Sequence, residues 1–169
     1  SKNYKNFYKS YFINKKLNIP YVSSKIALSN DFFSINYKKK WITDESSRKI
    51  VHLLRSRYDC ILSTSKTINL DNSLLNCRID GLDKFKPDLF IIDLNLKLKK
   101  NLLLNKILKK RKTYLITYKI NSKNAQRYIK KGYKIIFIDS LVNRNDFNFL
   151  LDKIYKMGYS RILIEAGLT

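Results

Sequence analysis

Tyr159-Ser160-Arg161-Ile162-Leu163-Ile164-Glu165-Ala166-Gly167-Leu168-Thr169 is the stretch whose reading decides the fold. An apolar run of strand length meets an acid and then a glycine-bearing turn. A glycine after a strand lets backbone N–H groups approach a phosphate closely, and a helix starting next would add its dipole. Strand, acid, small residue and glycine also occur in many α/β proteins as a plain turn. The weight of the stretch therefore comes from its surroundings.

Upstream, strands and helices alternate. Residues 146–157 predict a helix ended by Gly158, residues 133–139 a strand, and residues 122–131 a helix stopped by Gly132. Residues 113–117 predict a short strand. Residues 88–93 form a continuous apolar run, the mark of a strand covered on both faces. Residues 59–64 predict a strand followed by a Ser/Thr/Lys turn. Thr43 is placed to N-cap a helix with Asp44 and Glu45 in its first turn, a stripe of Ile50, Val51, Leu53 and Leu54, and Arg55 and Arg57 at its end. Pro20 opens a strand over residues 21–28 with Val22, Ile26 and Leu28 on one face, and residues 29–40 form a polar loop. Residues 1–18 predict a lead-in arm, partly helical, and residues 19–169 one domain.

The alternation predicts βαβ units and an α/β fold with a mostly parallel sheet and helices on both faces. Ligands of such sheets bind at the carboxyl ends of the strands. The residues to search are then Ser29 and Asp31, Thr64 to Thr67, Asp93, Asp139, and Glu165 to Thr169.

Composition bounds the partners. The 169 residues suffice for one domain with a real core, and 44% apolar content is ordinary for a globular chain. Net charge is +22. A phosphate-rich partner such as RNA or an anionic membrane would explain it. So would codon bias, because Lys, Asn, Ile and Tyr abound while Gly numbers 4 and Pro 2. The basic residues show no recognised nucleic-acid module, so no specific nucleic acid is expected. Residues 97–112 hold eight basic side chains, no acid, and interleaved Leu and Ile, read as a solvated basic face on a core-packed helix. Cys60 and Cys77 have neither CxxC spacing nor a nearby His, so no disulfide or zinc is expected and a reducing cytoplasm fits. The sequence lacks a run of about 20 apolar residues, so no membrane span is expected, and its start is not read as a signal peptide. His52, the one histidine, has no metal-ligand spacing and is read as structural.

Several short motifs stand together in order: Lys25-Ile26-Ala27-Leu28-Ser29-Asn30-Asp31, Trp41-Ile42-Thr43, Arg55, Thr67, Asp71-Asn72-Ser73-Leu74-Leu75-Asn76-Cys77-Arg78, and the Glu165-Ala166-Gly167-Leu168-Thr169 turn. Together they resemble the reductase half of the bacterial riboflavin-biosynthesis deaminase/reductase family, over about residues 15–169. The resemblance implies a dihydrofolate-reductase-like fold, NADPH as cofactor, and reduction of a phosphoribosylaminopyrimidine, 5-amino-6-(5-phosphoribosylamino)uracil. It implies cofactor contacts at Ala27, Trp41, Thr43, Thr67, Asp71 and Gly167, and substrate contacts at Lys39, Arg55, Leu75, Arg78 and Glu165. Glu165 is also the implied proton-steering acid, and Arg55 and Arg78 the holders of the ribosyl phosphate. An Arg that survives in a Lys-rich chain is apt to need its planar fork, which suits bidentate phosphate contact.

The sequence departs from the family's pattern in places. Phe32 stands where the family has Gly, Ser73 where it has Pro, and the loop before Trp41 is shorter. The family's last helix and closing strands do not follow Thr169. The sequence-based expectation is therefore a C-terminally incomplete domain, with Ile162 and Ile164 near an open sheet edge. The zinc-deaminase signature is missing, which places deamination on a separate chain or domain. A homodimer is allowed. Two rival readings stay open: an impaired remnant of the reductase kept as a structural partner, and a basic RNA-binding protein.

Overall fold

The computed structural model describes residues 8–28, 44–82 and 86–167. Six strands, β1 (Tyr21–Ser24), β2 (Cys60–Thr64), β3 (Asp88–Ile92), β4 (Thr113–Tyr118), β5 (Lys134–Ile138) and β6 (Arg161–Ile164), form one sheet in the order β1-β6-β2-β3-β4-β5. Every pairing is parallel. The helices are α1 (Lys9–Leu17), α2 (Glu45–Ser56), α3 (Ser65–Asp71), α4 (Ser122–Lys131) and α5 (Arg144–Lys156).

Strand alternation builds two cores, one on each face. Ile61 stands between Leu89 and Leu163 and packs into the first, with Ile91 and Leu115. Helices α2, α3 and α4 cover that face with Leu54, Ile68, Ala125 and Tyr128. Leu62 stands between Phe90 and Ile164 and packs into the second, which α5 covers with Leu150 and Ile154. The central strands are apolar on both sides for this reason.

Local chemistry sets the ends. The Thr64 hydroxyl accepts from the Thr67 N–H (3.2 Å) and starts α3 immediately after β2, where a turn was expected. The Asp44 carboxylate accepts from the Ser47 N–H (2.7 Å) and caps α2, the role expected of Thr43, which lies outside the described residues. Asn143 caps α5, so that helix begins before Asp146. Gly132, at φ 105°, ends α4 where expected.

Other expectations are corrected. Strand β1 stops at Ser24, and Ile26 and Leu28 are exposed. Its partner β6 ends opposite Ser24, at Ile164, so further extension would have no ladder to join. On α2, Ile50 and Leu53 face water, while Leu54 packs inward. Residues 97–112 are not an α-helix. Only a short 3₁₀ segment, Leu103–Ile107, interrupts a loop pinned by Leu96, Leu98, Leu102, Leu104 and Leu108 in the core. The Asp93 carboxylate starts this loop by accepting from the Lys97 and Leu98 N–H groups. Finally, β6 is not an open edge: among the described residues it is paired on both sides, by β1 and β2, and the edge strands are β1 and β5.

Candidate functional site

Three segments meet beside the carboxyl ends of β2 and β6: α2, the Asn72–Arg78 loop, and the turn after β6. Strand β6 is carried past its end by two bonds. The Glu165 N–H donates to the Leu62 carbonyl (2.9 Å), and the Ser63 hydroxyl donates to the Glu165 carbonyl (2.6 Å). The Glu165 side chain is thereby fixed at the junction with 6% exposure.

Helix α2 sends Arg55 to meet it. Arg55 Nε donates to Glu165 Oε1 (2.6 Å) and Nη2 to Oε2 (2.8 Å), a bidentate pair with little solvent access. Arg55 Nη1 also donates to the Asn76 carbonyl (3.2 Å). One turn earlier on the same helix face, His52 Nδ1 lies 2.9 Å from that same carbonyl. The other ring nitrogen, Nε2, lies 3.4 Å from Arg78 Nη2. Arg78 is exposed and has no carboxylate partner among the described residues.

The loop that brings Asn76 and Arg78 here has an unusual backbone. Asn72 (φ 45°) and Leu75 (φ 48°) are left-handed without being glycine. Buried Arg111, next to the start of β4, holds this shape. Its Nη1 donates to the carbonyls of Leu75 (2.8 Å) and Pro87 (3.1 Å), and its Nη2 to that of Leu74 (2.8 Å). Burial pushes the Arg111 guanidinium down to about 10, which leaves it charged at neutral pH. Burial likewise lowers the His52 ring below its ordinary 6.5; the Asn76 carbonyl opposes this, while Arg55 and Arg78 add to it. His52 is therefore neutral at pH 7.

A second group of polar atoms lies close by. The Gly167 N–H donates to Thr67 Oγ1 (3.1 Å), and Thr67 Oγ1 lies 3.1 Å from Thr64 Oγ1. The ends of β2 and β6 thus present hydroxyls and backbone polar groups side by side. Asp71 is exposed at the end of α3, and Ala27 follows β1, half-buried. Lys39, Trp41 and Thr43 lie outside the described residues. Asp139 forms an exposed ion pair with Lys119, and Asp93 is used up as a loop cap. Among the described residues, no group of three His, Cys, Asp or Glu gathers as a metal site. Cys60 and Cys77 are buried and free, and burial pushes the Cys60 thiol up.

The structure thus brings Arg55 and Glu165 into direct contact, with Arg78 beside them through His52. It also sets Thr67 against Gly167. Sequence reasoning missed His52, Asn76 and Arg111. His52 was findable, because it lies three residues before Arg55 on one helix; the other two act through backbone carbonyls and a buried side chain that no motif marks.

The wholly parallel sheet, with its polar groups at the carboxyl ends of β2 and β6, agrees with the dihydrofolate-reductase-like fold that the resemblance implied, and solved reductase domains share that fold. The Thermotoga maritima diaminohydroxyphosphoribosylaminopyrimidine deaminase/5-amino-6-(5-phosphoribosylamino)uracil reductase superposes at TM-score 0.77 with 21% identity, covering 98% of this chain and 44% of that one. Residues 20–169 match the RibD C-terminal domain, and the chain belongs to that family. The riboflavin biosynthesis protein RibD of Actinobacillus pleuropneumoniae is 27% identical over 150 residues, 88% of this chain and 39% of that protein. A 5-amino-6-(5-phosphoribosylamino)uracil reductase of Buchnera aphidicola subsp. Acyrthosiphon pisum is 44% identical over 55 residues, 32% of this chain and 27% of that protein. The chain spans about two fifths of the length of the RibD proteins it matches.

Proposed function

We propose that this domain reduces 5-amino-6-(5-phosphoribosylamino)uracil to 5-amino-6-(5-phosphoribitylamino)uracil in riboflavin biosynthesis, with NADPH as hydride source. The observation that carries this reading is the cluster of Arg55, Arg78 and Glu165 at the carboxyl end of the sheet in a chain of the RibD family.

Arg78 has a solvent-facing guanidinium, the right partner for the 5′-phosphate of the ribosyl chain. Arg55 donates to Glu165 and to the Asn76 carbonyl, so its part is to fix the Glu165 carboxylate and add positive potential. Leu75, buried at its left-handed φ, shapes the loop wall on which the substrate lies. The Glu165 carboxylate enters as a hydrogen-bond acceptor. It orients the sugar hydroxyl or amine that exchanges a proton when the ribosylamine opens to its imine, and Lys39 assists at the substrate's edge. Remote binding of the phosphate then helps to position C1′.

The donor set at the strand ends fits a dinucleotide. Thr67 and Gly167 would hold it at the strand ends, with Ala27, Asp71, Trp41 and Thr43 as the further contacts that the resemblance implies. When bound, NADPH supplies the hydride that reduces C1′. The substrate is the product of a deamination, so a deaminase on another chain or domain is the expected partner, and the cytoplasm the expected compartment.

The test is steady-state kinetics of the full gene product with both substrates. Arg78→Lys keeps the charge and loses the fork, and is expected to raise substrate KM about tenfold while NADPH KM holds. NADPH binding is read independently from the fluorescence of Trp41, the one tryptophan of these 169 residues, with Trp41→Phe as the control. A fall in NADPH affinity with an unchanged substrate KM would sink the assignment of Arg78.

A further inference from the structure

His52 sits between two groups that leave its ring a single neutral form. Its Nδ1 faces the Asn76 carbonyl at 2.9 Å. A carbonyl oxygen only accepts, so Nδ1 carries the hydrogen and donates. In the neutral ring Nε2 is then bare. Opposite it, at 3.4 Å, stands Nη2 of Arg78, a group that only donates. The two contacts agree on one tautomer, in which the imidazole bridges a loop carbonyl and the end of a guanidinium.

We infer that His52 is a positioning residue for Arg78: in its neutral Nδ1–H form it accepts from Nη2 and turns the remaining guanidinium N–H groups toward an incoming phosphate. This deepens the reading of Arg78 as the phosphate holder and rests on it. The Arg78 side chain is exposed and has no carboxylate partner among the described residues, so without His52 its fork would sample many rotamers. With His52 it is tied to the carbonyl that also receives Arg55 Nη1 at 3.2 Å, and through Arg55 to Glu165. Phosphate holder and proton-steering acid are thereby referred to one point, the backbone of Asn76. The charged groups around the ring are Arg55, Arg78 and Glu165. Partial burial, and after it the two cations, lower the ring below its ordinary 6.5 against the opposing pull of the Asn76 carbonyl and Glu165, which favours the neutral form that an acceptor role demands.

The chain has one histidine, so a ¹⁵N imidazole spectrum reads His52 without assignment. At neutral pH the expected pattern is the Nδ1–H tautomer with a bare Nε2, and Arg78→Ala is expected to shift the Nε2 resonance. An Nε2–H tautomer, or an Nε2 resonance indifferent to Arg78→Ala, overturns the inference whatever the substrate proves to be. The second arm is kinetic. His52→Phe is expected to raise substrate KM about fivefold, the worth of one hydrogen bond, with NADPH KM unchanged. His52→Gln, which keeps a donor and an acceptor, is expected to recover most of the loss. A substrate KM that Arg78→Ala raises and His52→Phe leaves alone also overturns the inference. If Arg78→Ala itself leaves substrate KM alone, the substrate reading has failed, and the spectrum still decides whether His52 holds Arg78.

Discussion

Two ion pairs stand at the carboxyl rim of the same sheet, in different surroundings. Arg55 and Glu165 meet at 2.6 Å with side chains 12% and 6% exposed, beside β2 and β6. Lys119 and Asp139 meet at 2.8 Å with side chains 65% and 77% exposed, beyond β4 and β5. The distances are alike, and the energetics are not. In water the attraction of a pair is largely offset by solvation and by the entropy of holding two long side chains together. At the buried pair each charge has lost its solvent and depends on its partner. The same contrast separates their uses: a rim that keeps a carboxylate dry and aimed can do chemistry, whereas a solvated rim can only be soluble.

The largest expected effect comes from breaking the buried pair on one side. Glu165→Ala leaves a guanidinium buried without its acid, with an expected cost of about 3–5 kcal/mol in urea unfolding. Replacing both partners together, Arg55→Met with Glu165→Leu, is expected to recover most of that stability and none of the activity. A double variant as unstable as the single one would erase the distinction between the two rims.

Arg111→Met comes next. It strips three backbone carbonyls of a buried charged donor, for an expected loss of about 2–3 kcal/mol by the same measurement. Because Leu75 is left-handed, the loop is expected to relax, and substrate KM to rise together with the loss of stability.

At the exposed rim, Lys119→Ala is expected to cost about 0–1 kcal/mol, and the difference from wild type to vanish in high salt. A loss comparable with that of Glu165→Ala would show that exposure is the wrong variable.

The smallest effect is one of pH. The His52 ring is lowered in the native state, so the unfolded chain binds its proton more readily just below pH 6.5. Its contribution to stability is full above pH 6.5 and fades as pH falls toward the native value. Unfolding at stepped pH is expected to show this extra acid sensitivity in wild type and to lose it in His52→Phe.

Much of the architecture was legible because it rests on local pattern. Helix α4 and its glycine stop are written in residues 122–132, and β3 in an uninterrupted apolar run. Strand order was not legible. Nothing in Ile162 says that it lies between Cys60 and Val22, nor in Ile164 that it lies between Leu62 and Ser24, since pairing is decided by distant segments. The 97–112 segment misled because leucines at mixed spacing serve a pinned loop as well as a helix. In the site, Arg55, Arg78 and Glu165 could be named from residue type and resemblance. Arg55 meets Glu165 directly, but its link to Arg78 runs through His52 and the backbone of Asn76, which has no sequence signature.

The position of β6 also bears on how the molecule is made. It is the latest of the six strands along the chain, yet it forms the joint between β1 and β2, which touch each other nowhere in the sheet. Tyr21 must wait for Arg161 to gain its ladder partner, and Arg55 waits 110 residues for its acid. During synthesis β2 to β5 can assemble as they emerge, while β1 and the guanidinium remain idle. Closing so long a loop is entropically costly and slow. The site accordingly cannot exist until β6 has joined, and a chain interrupted before β6 holds β2 to β5 with no site beside them.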